Sequence, residues 1–256
     1  MDDLVRVTPL DQGALWRVTF GASKGNIIDG AMMAALNRTF LDAAAAPGLK
    51  AVCLEGAGSH FSFGASVREH LPDQVRDMLE GLRRLVLHML DSHVVLIAAV
   101  RGQCLGGGLE LASVCHRIVA SAEARLGQPE ITLGVFAPLA SVVLPHRIGR
   151  PRAEDLCLTG RIVTAAEARD MGLVDDIAAG DPSDAAIAWA RAAFTGRSAS
   201  SLRLAVKAIR APLTAAVREQ LPALEALYLE ELMATHDAAE GLRAFLEKRP
   251  PAWRHA

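Results

Sequence analysis

Lysine is scarce in this sequence, because only four of its 27 basic residues are lysines: Lys24, Lys50, Lys207 and Lys248. The formal net charge of the 256 residues is −2 at pH 7, and no run of basic residues occurs. Proteins that bind nucleic acids usually carry such a run or a basic face. The composition therefore argues against nucleic acid as a partner.

A long hydrophobic segment is also missing, and the clearest apolar run is Val94–Val100. A membrane-spanning helix needs roughly 20 apolar residues. The first residues, MDDLVRVTP, include acids where a secretory signal has a basic start and an apolar run. We therefore expect neither a membrane span nor a signal peptide.

The cysteines show no paired spacing of the kind that metal sites use, and all four stand in apolar segments: Cys53, Cys104, Cys115 and Cys157. Buried, reduced thiols are typical of cytoplasmic proteins. We expect a cytoplasmic protein without a metal site.

What is present indicates a folded α/β protein. Apolar residues make up 51% of the chain and charged residues 22%, and predicted strands alternate with predicted helices. The composition changes near residue 195, and the chain beyond it is predicted to be almost wholly helical, with helices over Ser200–Ile209, Thr214–Thr235 and Ala238–Glu247. We therefore predict a core of residues 1–195 and a helical region of residues 196–256.

Three consecutive glycines, Gly106 to Gly108, separate the apolar strand Val94–Val100 from the start of a predicted helix at Glu110. Glycine lets a ligand approach the backbone closely, because no Cβ holds it off. A helix N-terminus adds unpaired N–H groups and a positive dipole end. This turn is suited to bind a developing negative charge.

A second glutamate, Glu130, stands in the segment Gly-Gln-Pro-Glu, where the proline favours a loop. Two surface carboxylates would be the ordinary interpretation of Glu110 and Glu130, since this residue type is mostly exposed. Together with the glycine turn, however, they form a constellation suited to proton transfer.

These segments closely resemble the enoyl-CoA hydratase/isomerase (crotonase) superfamily. The resemblance is carried by GQCLGGGLELA, LGQPEITLG and LTGRIVTAAEARDMGLVD in this order, and it extends over nearly the whole chain. It implies the crotonase (ClpP-like) fold, a spiral of ββα units followed by a C-terminal helical trimerisation region.

The resemblance also implies roles for individual residues. Glu110 and Glu130 correspond to the working glutamates of the hydratases, and the N–H groups of Ala65 and Gly107 to the oxyanion hole for the thioester oxygen. The loop that contains Ala65 departs from the family pattern, because Ser66 stands where an acid is usual. A backbone role for Ala65 survives this change, whereas a role for an acid at position 66 is lost.

Further residues are implied to bind coenzyme A: Lys24, Phe63, Ala65, Val67 and, from a neighbouring subunit, Phe245 and Lys248. An isolated lysine can equally be a solvated charge, and Phe245 can be plain core. The expected walls of the acyl pocket are Phe63, Phe136 and Pro138, where Pro138 replaces a glycine-rich turn of typical straight-chain hydratases.

The expected activity is therefore hydration of an α,β-unsaturated acyl-CoA without a cofactor, because coenzyme A is part of the substrate. The resemblance is strongest to family members that act on a cyclic 1,5-dienoyl-CoA, and it implies a homotrimer or a hexamer. Two alternatives remain: a straight-chain 2-enoyl-CoA hydratase or isomerase, and a non-catalytic or RNA-binding homologue. The absence of lysine-rich helices argues against RNA, and the glutamate pair argues against lost catalysis.

Overall fold

The computed structural model describes residues 4–21 and 25–256. Its strands are β1 Val5–Leu10, β2 Leu15–Phe20, β3 Ala51–Gly56, β4 Val95–Val100, β5 Gln103–Leu105, β6 Arg117–Ser121, β7 Arg125–Gly127, β8 Ile162–Thr164 and β9 Asp176–Ala178. Its helices are α1 Gly30–Ala45, α2 Val75–Asp91, α3 Gly107–Val114, α4 Pro138–Ile148, α5 Arg150–Thr159, α6 Ala165–Asp170, α7 Pro182–Phe194, α8 Ala199–Glu230 and α9 His236–Leu246.

The strands form two sheets. The larger has the order β1-β2-β3-β4-β6-β9 and is parallel except for the antiparallel pair β1-β2. The smaller has the order β5-β7-β8. Successive turns of the chain place one strand in each sheet and then form a helix, as β4, β5 and α3 do. This repetition is the predicted spiral of ββα units.

The larger sheet is covered on both faces. Every residue of β3 and β4 is buried, as is usual for parallel strands between helices. Alternate residues of each strand belong to two apolar clusters, so that Leu96 packs with α1 and α2 while Ile97 packs with α7. The sheet is therefore a rigid base from which the turns after β3 and β5 project.

The short strands β5, β7 and β8 were not predicted from the sequence. Each has three residues, which is too few for an alternating pattern to appear. Helix α6 begins directly after Thr164, whose hydroxyl accepts the N–H of Glu167. The Glu167 carboxylate pairs with Arg161 and not with the backbone of Thr164.

The prediction of a helix break between Ile209 and Thr214 is wrong. Helix α8 runs without interruption from Ala199 to Glu230 and carries Pro212 and Pro222 inside it. Each proline removes one backbone N–H and disfavours helix in the preceding residue. Packing of α8 along α2 and α4 offsets this local cost. The predicted boundary near residue 195 falls between α7 and α8.

The apolar face of α8 packs largely within this chain, because Leu221 and Tyr228 are buried. Leu224 is partly buried against the same core, while Leu227 is exposed. Most of that face is therefore covered by other parts of the same chain.

None of the helices in the described part of the chain is long and apolar enough to cross a membrane.

Candidate active site

The glycine turn after β5 leads into α3, as predicted. Gly106 has a φ of 51°, a value open to glycine but costly for other residues, and α3 begins at Gly107. The N–H of Gly107 finds no acceptor among the residues that the structure describes. An unpaired N–H is the normal state of a first helical residue and leaves it free to bind a ligand.

A second unpaired N–H lies beside the first. In the loop after β3, Gly64 has a φ of 105°, and its own N–H donates to the Ser62 hydroxyl at 2.9 Å. The next N–H, that of Ala65, has no acceptor within the described ranges. A Cβ placed on Gly107 would lie 3.0 Å from the Ala65 nitrogen, so the two N–H groups are neighbours. Such a pair can stabilise a negatively charged oxygen.

Glu110 lies in the first turn of α3 and is only 4% exposed. Its Oε1 accepts the backbone N–H of Ala140 at 2.8 Å. Ala140 belongs to the first turn of α4, where N–H groups lack intrahelical acceptors, and Glu110 supplies one of them. The positive end of the α4 dipole also favours the ionised form of Glu110.

Glu130 comes from a separate element, a 3-10 turn that spans Pro129–Leu133. Its Oε1 accepts the Gln128 amide at 2.9 Å, while its Oε2 is shielded from solvent and has no partner among the described residues. A Cβ on Gly106 would lie 2.7 Å from Oε1. Glycine at this position therefore lets the carboxyl group reach the turn that begins α3.

Burial raises the pKa of both carboxyl groups above the ordinary range of glutamate. For Glu110, the hydrogen bond from Ala140 partly offsets this rise in pKa. For Glu130, the charge of Glu110 raises the pKa further. Two neighbouring carboxylates resist double ionisation, so the pair favours a state with one shared proton. We expect Glu130 to keep that proton and Glu110 to be ionised.

The two glutamates open onto one cavity with largely apolar walls. It is lined by Phe63, Gly64, Ala65, Val67, His70, Met78, Leu79, Leu82, Gly106, Gly107, Glu110, Pro129, Glu130, Leu133, Val135, Phe136, Ala137, Pro138, Tyr228 and Leu242. The structure thus brings together the predicted acids, both N–H donors, and the predicted wall residues Phe63, Phe136 and Pro138. Val67, predicted to contact coenzyme A, lines the same cavity.

Two predicted coenzyme A contacts, Phe245 and Lys248, do not line this cavity, and a third falls outside the part of the chain that the structure describes. Lys24 lies outside the described residues. Phe245 is 54% exposed near the end of α9, and Lys248 follows that helix with a φ of 54°. Both were assigned to a neighbouring subunit, so their role remains a prediction. Within residues 4–21 and 25–256, no three His, Cys, Asp or Glu side chains cluster as a metal site requires.

Four residues of the site were missed from the sequence: His70, Gln128, Ala140 and Tyr228. The His70 ring lines the cavity, and its Nδ1 lies 2.8 Å from the backbone oxygen of Ser66. Gln128 stands inside the Gly-Gln-Pro-Glu segment and was recognisable there. Ala140 and Tyr228 carry no local pattern, because only the packing of α4 and α8 brings them to the acids.

The chain matches the family model described as Enoyl-CoA hydratase/isomerase over residues 11–256. It belongs to that family and has the crotonase fold. An enoyl-CoA hydratase structure from Mycobacterium avium superposes with a TM-score of 0.87 at 26% identity, covering 98% of this chain and 99% of the other.

Two curated relatives narrow the comparison. The chain is 51% identical over 243 residues to the cyclohexa-1,5-dienecarbonyl-CoA hydratase of Thauera aromatica. This alignment covers 95% of this chain and 94% of the relative. It is 33% identical over 250 residues to a probable enoyl-CoA hydratase of Rhizobium meliloti, and this alignment covers 95% of this chain and 96% of the relative. Of these two relatives, the cyclic diene hydratase has the higher sequence identity to this chain.

Proposed function

We propose that this chain hydrates cyclohexa-1,5-diene-1-carbonyl-CoA to 6-hydroxycyclohex-1-ene-1-carbonyl-CoA, a step of anaerobic aromatic degradation. The observation that carries this function is an acid pair, Glu110 and Glu130, beside two unpaired N–H groups in one apolar cavity. The 51% identity to a hydratase of that substrate supports the choice of ring.

The thioester is bound through its carbonyl oxygen. The N–H groups of Ala65 and Gly107 donate to this oxygen, on which negative charge develops as a nucleophile adds to the conjugated system. Loss of one such donor typically costs about 2.7–4 kcal/mol of transition-state stabilisation. The pair is therefore the electrostatic part of catalysis.

The glutamates supply the proton transfers. Ionised Glu110 takes a proton from water, whose oxygen bonds to the β-carbon of the thioester, and the electron pair moves into an extended dienolate. Protonated Glu130 then delivers its proton to the distal carbon of that dienolate, and the remaining double bond shifts. The net result is 1,4-addition of water. The Ala140 hydrogen bond to Glu110 supports this division of roles.

The walls suit a flat ring. Phe63 and Phe136 offer aromatic surfaces. Pro138 fixes the backbone at the first position of α4, two residues before Ala140, whose N–H binds Glu110. A rigid apolar slot favours a cyclic acyl group over a flexible chain, because the ring loses less conformational freedom on binding.

The remaining parts of the proposal concern binding and assembly. Phe63, Ala65, Val67 and Lys24 bind coenzyme A, and Phe245 and Lys248 of a neighbouring subunit complete its site in a homotrimer or hexamer. Phe245 is an exposed large apolar residue, as this contact requires. No cofactor takes part beyond the substrate's own coenzyme A. The unpaired thiols support a cytoplasmic location.

A straight-chain enoyl-CoA hydratase is the second candidate, favoured by the similarity to the relative from Rhizobium meliloti. Loss of thioester absorbance separates the two when the cyclic diene and crotonyl-CoA are compared under identical conditions. We expect kcat/KM for the ring to exceed that for crotonyl-CoA by at least ~30-fold, about 2 kcal/mol of differential transition-state binding. Equal or reversed preference would contradict the cyclic substrate but not the hydratase activity.

A further inference from the structure

Tyr228 is the one tyrosine in the sequence, and it lies in an unusual environment. It stands near the end of α8, is 1% exposed, and lines the cavity that contains both glutamates. Its ring packs against Phe136 with 5.2 Å between ring centres. Its hydroxyl is shielded from solvent and has no hydrogen-bond partner among the described residues.

An unpaired phenol is expensive at a buried position. Leaving a buried donor unsatisfied costs about 1–3 kcal/mol, and buried tyrosines usually find a partner for the hydroxyl. Phenylalanine would fill the same space next to Phe136 without this cost. A buried, unpaired hydroxyl at the wall of this cavity therefore indicates a partner that the chain itself does not provide.

The position of the phenol limits what that partner can be. Burial raises the pKa of Tyr228 most, and the charges of Glu130 and Glu110 raise it further. The phenol thus stays neutral and keeps its O–H at any pH at which the enzyme works. Tyr228 and both glutamates line one cavity, so the hydroxyl can reach a ligand that is bound beside the reacting groups.

We propose that the Tyr228 hydroxyl hydrogen-bonds to the oxygen atom that is added to the ring. This oxygen belongs to the attacking water before addition and to the ring hydroxyl afterwards. Tyr228 is then a second polar contact to that atom beside Glu110, and it helps the site to distinguish hydroxylated from unsubstituted rings. This role rests on the proposed function.

A binding cycle tests the contact without turnover. Two ligands differ only in the group concerned: 6-hydroxycyclohex-1-ene-1-carbonyl-CoA and cyclohex-1-ene-1-carbonyl-CoA. We expect the unaltered protein to bind the hydroxylated ligand ~2- to 10-fold more tightly, as one neutral hydrogen bond allows. Tyr228→Phe should lower this preference while binding the unsubstituted ligand as before, because the ring hydroxyl then keeps only its contact to Glu110. The matched control, Phe136→Leu, should weaken the binding of both ligands by similar factors and leave the ratio of their affinities unchanged.

A spectroscopic measurement on the unaltered protein keeps the proposal testable if Tyr228→Phe does not fold. Because the chain has a single tyrosine, phenol bands in the ultraviolet difference spectrum report Tyr228 alone. The hydroxylated ligand should perturb these bands more than the unsubstituted one.

The outcomes separate this role from the activity. Equal affinity for the two ligands in the unaltered protein, or an equal spectral response, overturns the role of Tyr228 whatever the enzyme hydrates. An undiminished preference in Tyr228→Phe overturns it as well. Failure to hydrate the cyclic diene, with a preference for the hydroxylated ring that depends on Tyr228, contradicts the proposed function instead.

Discussion

Replacing Glu130 by glutamine changes one group in the site and leaves its shape. The carboxamide is nearly isosteric with the carboxyl group, and its oxygen can still accept the Gln128 amide that now lies 2.9 Å from Oε1. What is lost is the acid that delivers a proton to the substrate. We expect turnover to fall by ~10²–10⁴, the usual contribution of general acid or base catalysis.

The same substitution should change stability in a pH-dependent way. The pKa of Glu130 is raised in the folded state, chiefly by burial and further by the charge of Glu110. An acid with a raised pKa destabilises the fold as pH rises above its unfolded pKa of about 4.3, and this loss levels off above its folded pKa. Glu130→Gln should therefore be more stabilising at pH 9 than at pH 4.

The gain in stability follows from linkage, because ionised Glu130 is less favourable in the folded state than in the unfolded chain, whereas glutamine carries no charge in either state. Denaturant unfolding at several pH values measures this gain, and loss of thioester absorbance measures turnover. Glu123→Gln is a suitable control, because Glu123 is exposed and lies outside the cavity. It should change neither quantity.

Two results would contradict this reasoning. More than a tenth of the activity remaining in Glu130→Gln means that another group delivers the proton. A stability difference that does not vary with pH means that Glu130 is not held in an environment that resists its ionisation.

Three other predictions follow. Glu110→Gln should also lower turnover by ~10²–10⁴ while coenzyme A binding stays near normal, which steady-state kinetics and ligand titration check; more than a tenth of normal activity would exclude its role as the base. Gly107→Ala should lower kcat by ~10²-fold or more, because the new methyl would lie 3.0 Å from the Ala65 nitrogen where the thioester oxygen binds; near-normal turnover would move that oxygen elsewhere. Light scattering at micromolar concentration should detect trimers or hexamers, whereas monomers of 27.2 kDa alone would exclude contributions of Phe245 and Lys248 to a neighbouring site.

The parts of the site that the sequence predicts are those with a local chemical requirement. Gly106 must accept a positive φ and let Glu130 approach, so glycine is needed there and visible in the sequence. The turn into α3 and the placement of Glu110 in its first turn follow from the same short segment. A pattern of a few residues is sufficient for such features, because the backbone conformation is decided within them.

The parts that were missed depend on packing between distant segments. Ala140 and Tyr228 reach the acids only because α4 and α8 pack around them. Pro212 also shows the limit of local rules. This residue type normally ends a helix, yet α8 continues past it because tertiary contacts stabilise the helix. Tyr228 is a wall of the cavity for the same reason, although its place in the predicted helix Thr214–Thr235 gives no sign of it.

Hydration in heavy water tests the proposed chemistry most directly. The cyclic dienoyl-CoA is converted in D₂O, and the position of deuterium in the product is read by nuclear magnetic resonance. If Glu110 directs water to the β-carbon and Glu130 protonates the far end of the dienolate, deuterium appears at the distal ring carbon and not at the α-carbon. Deuterium at the α-carbon, or no conversion of the ring, would contradict 1,4-hydration by this enzyme.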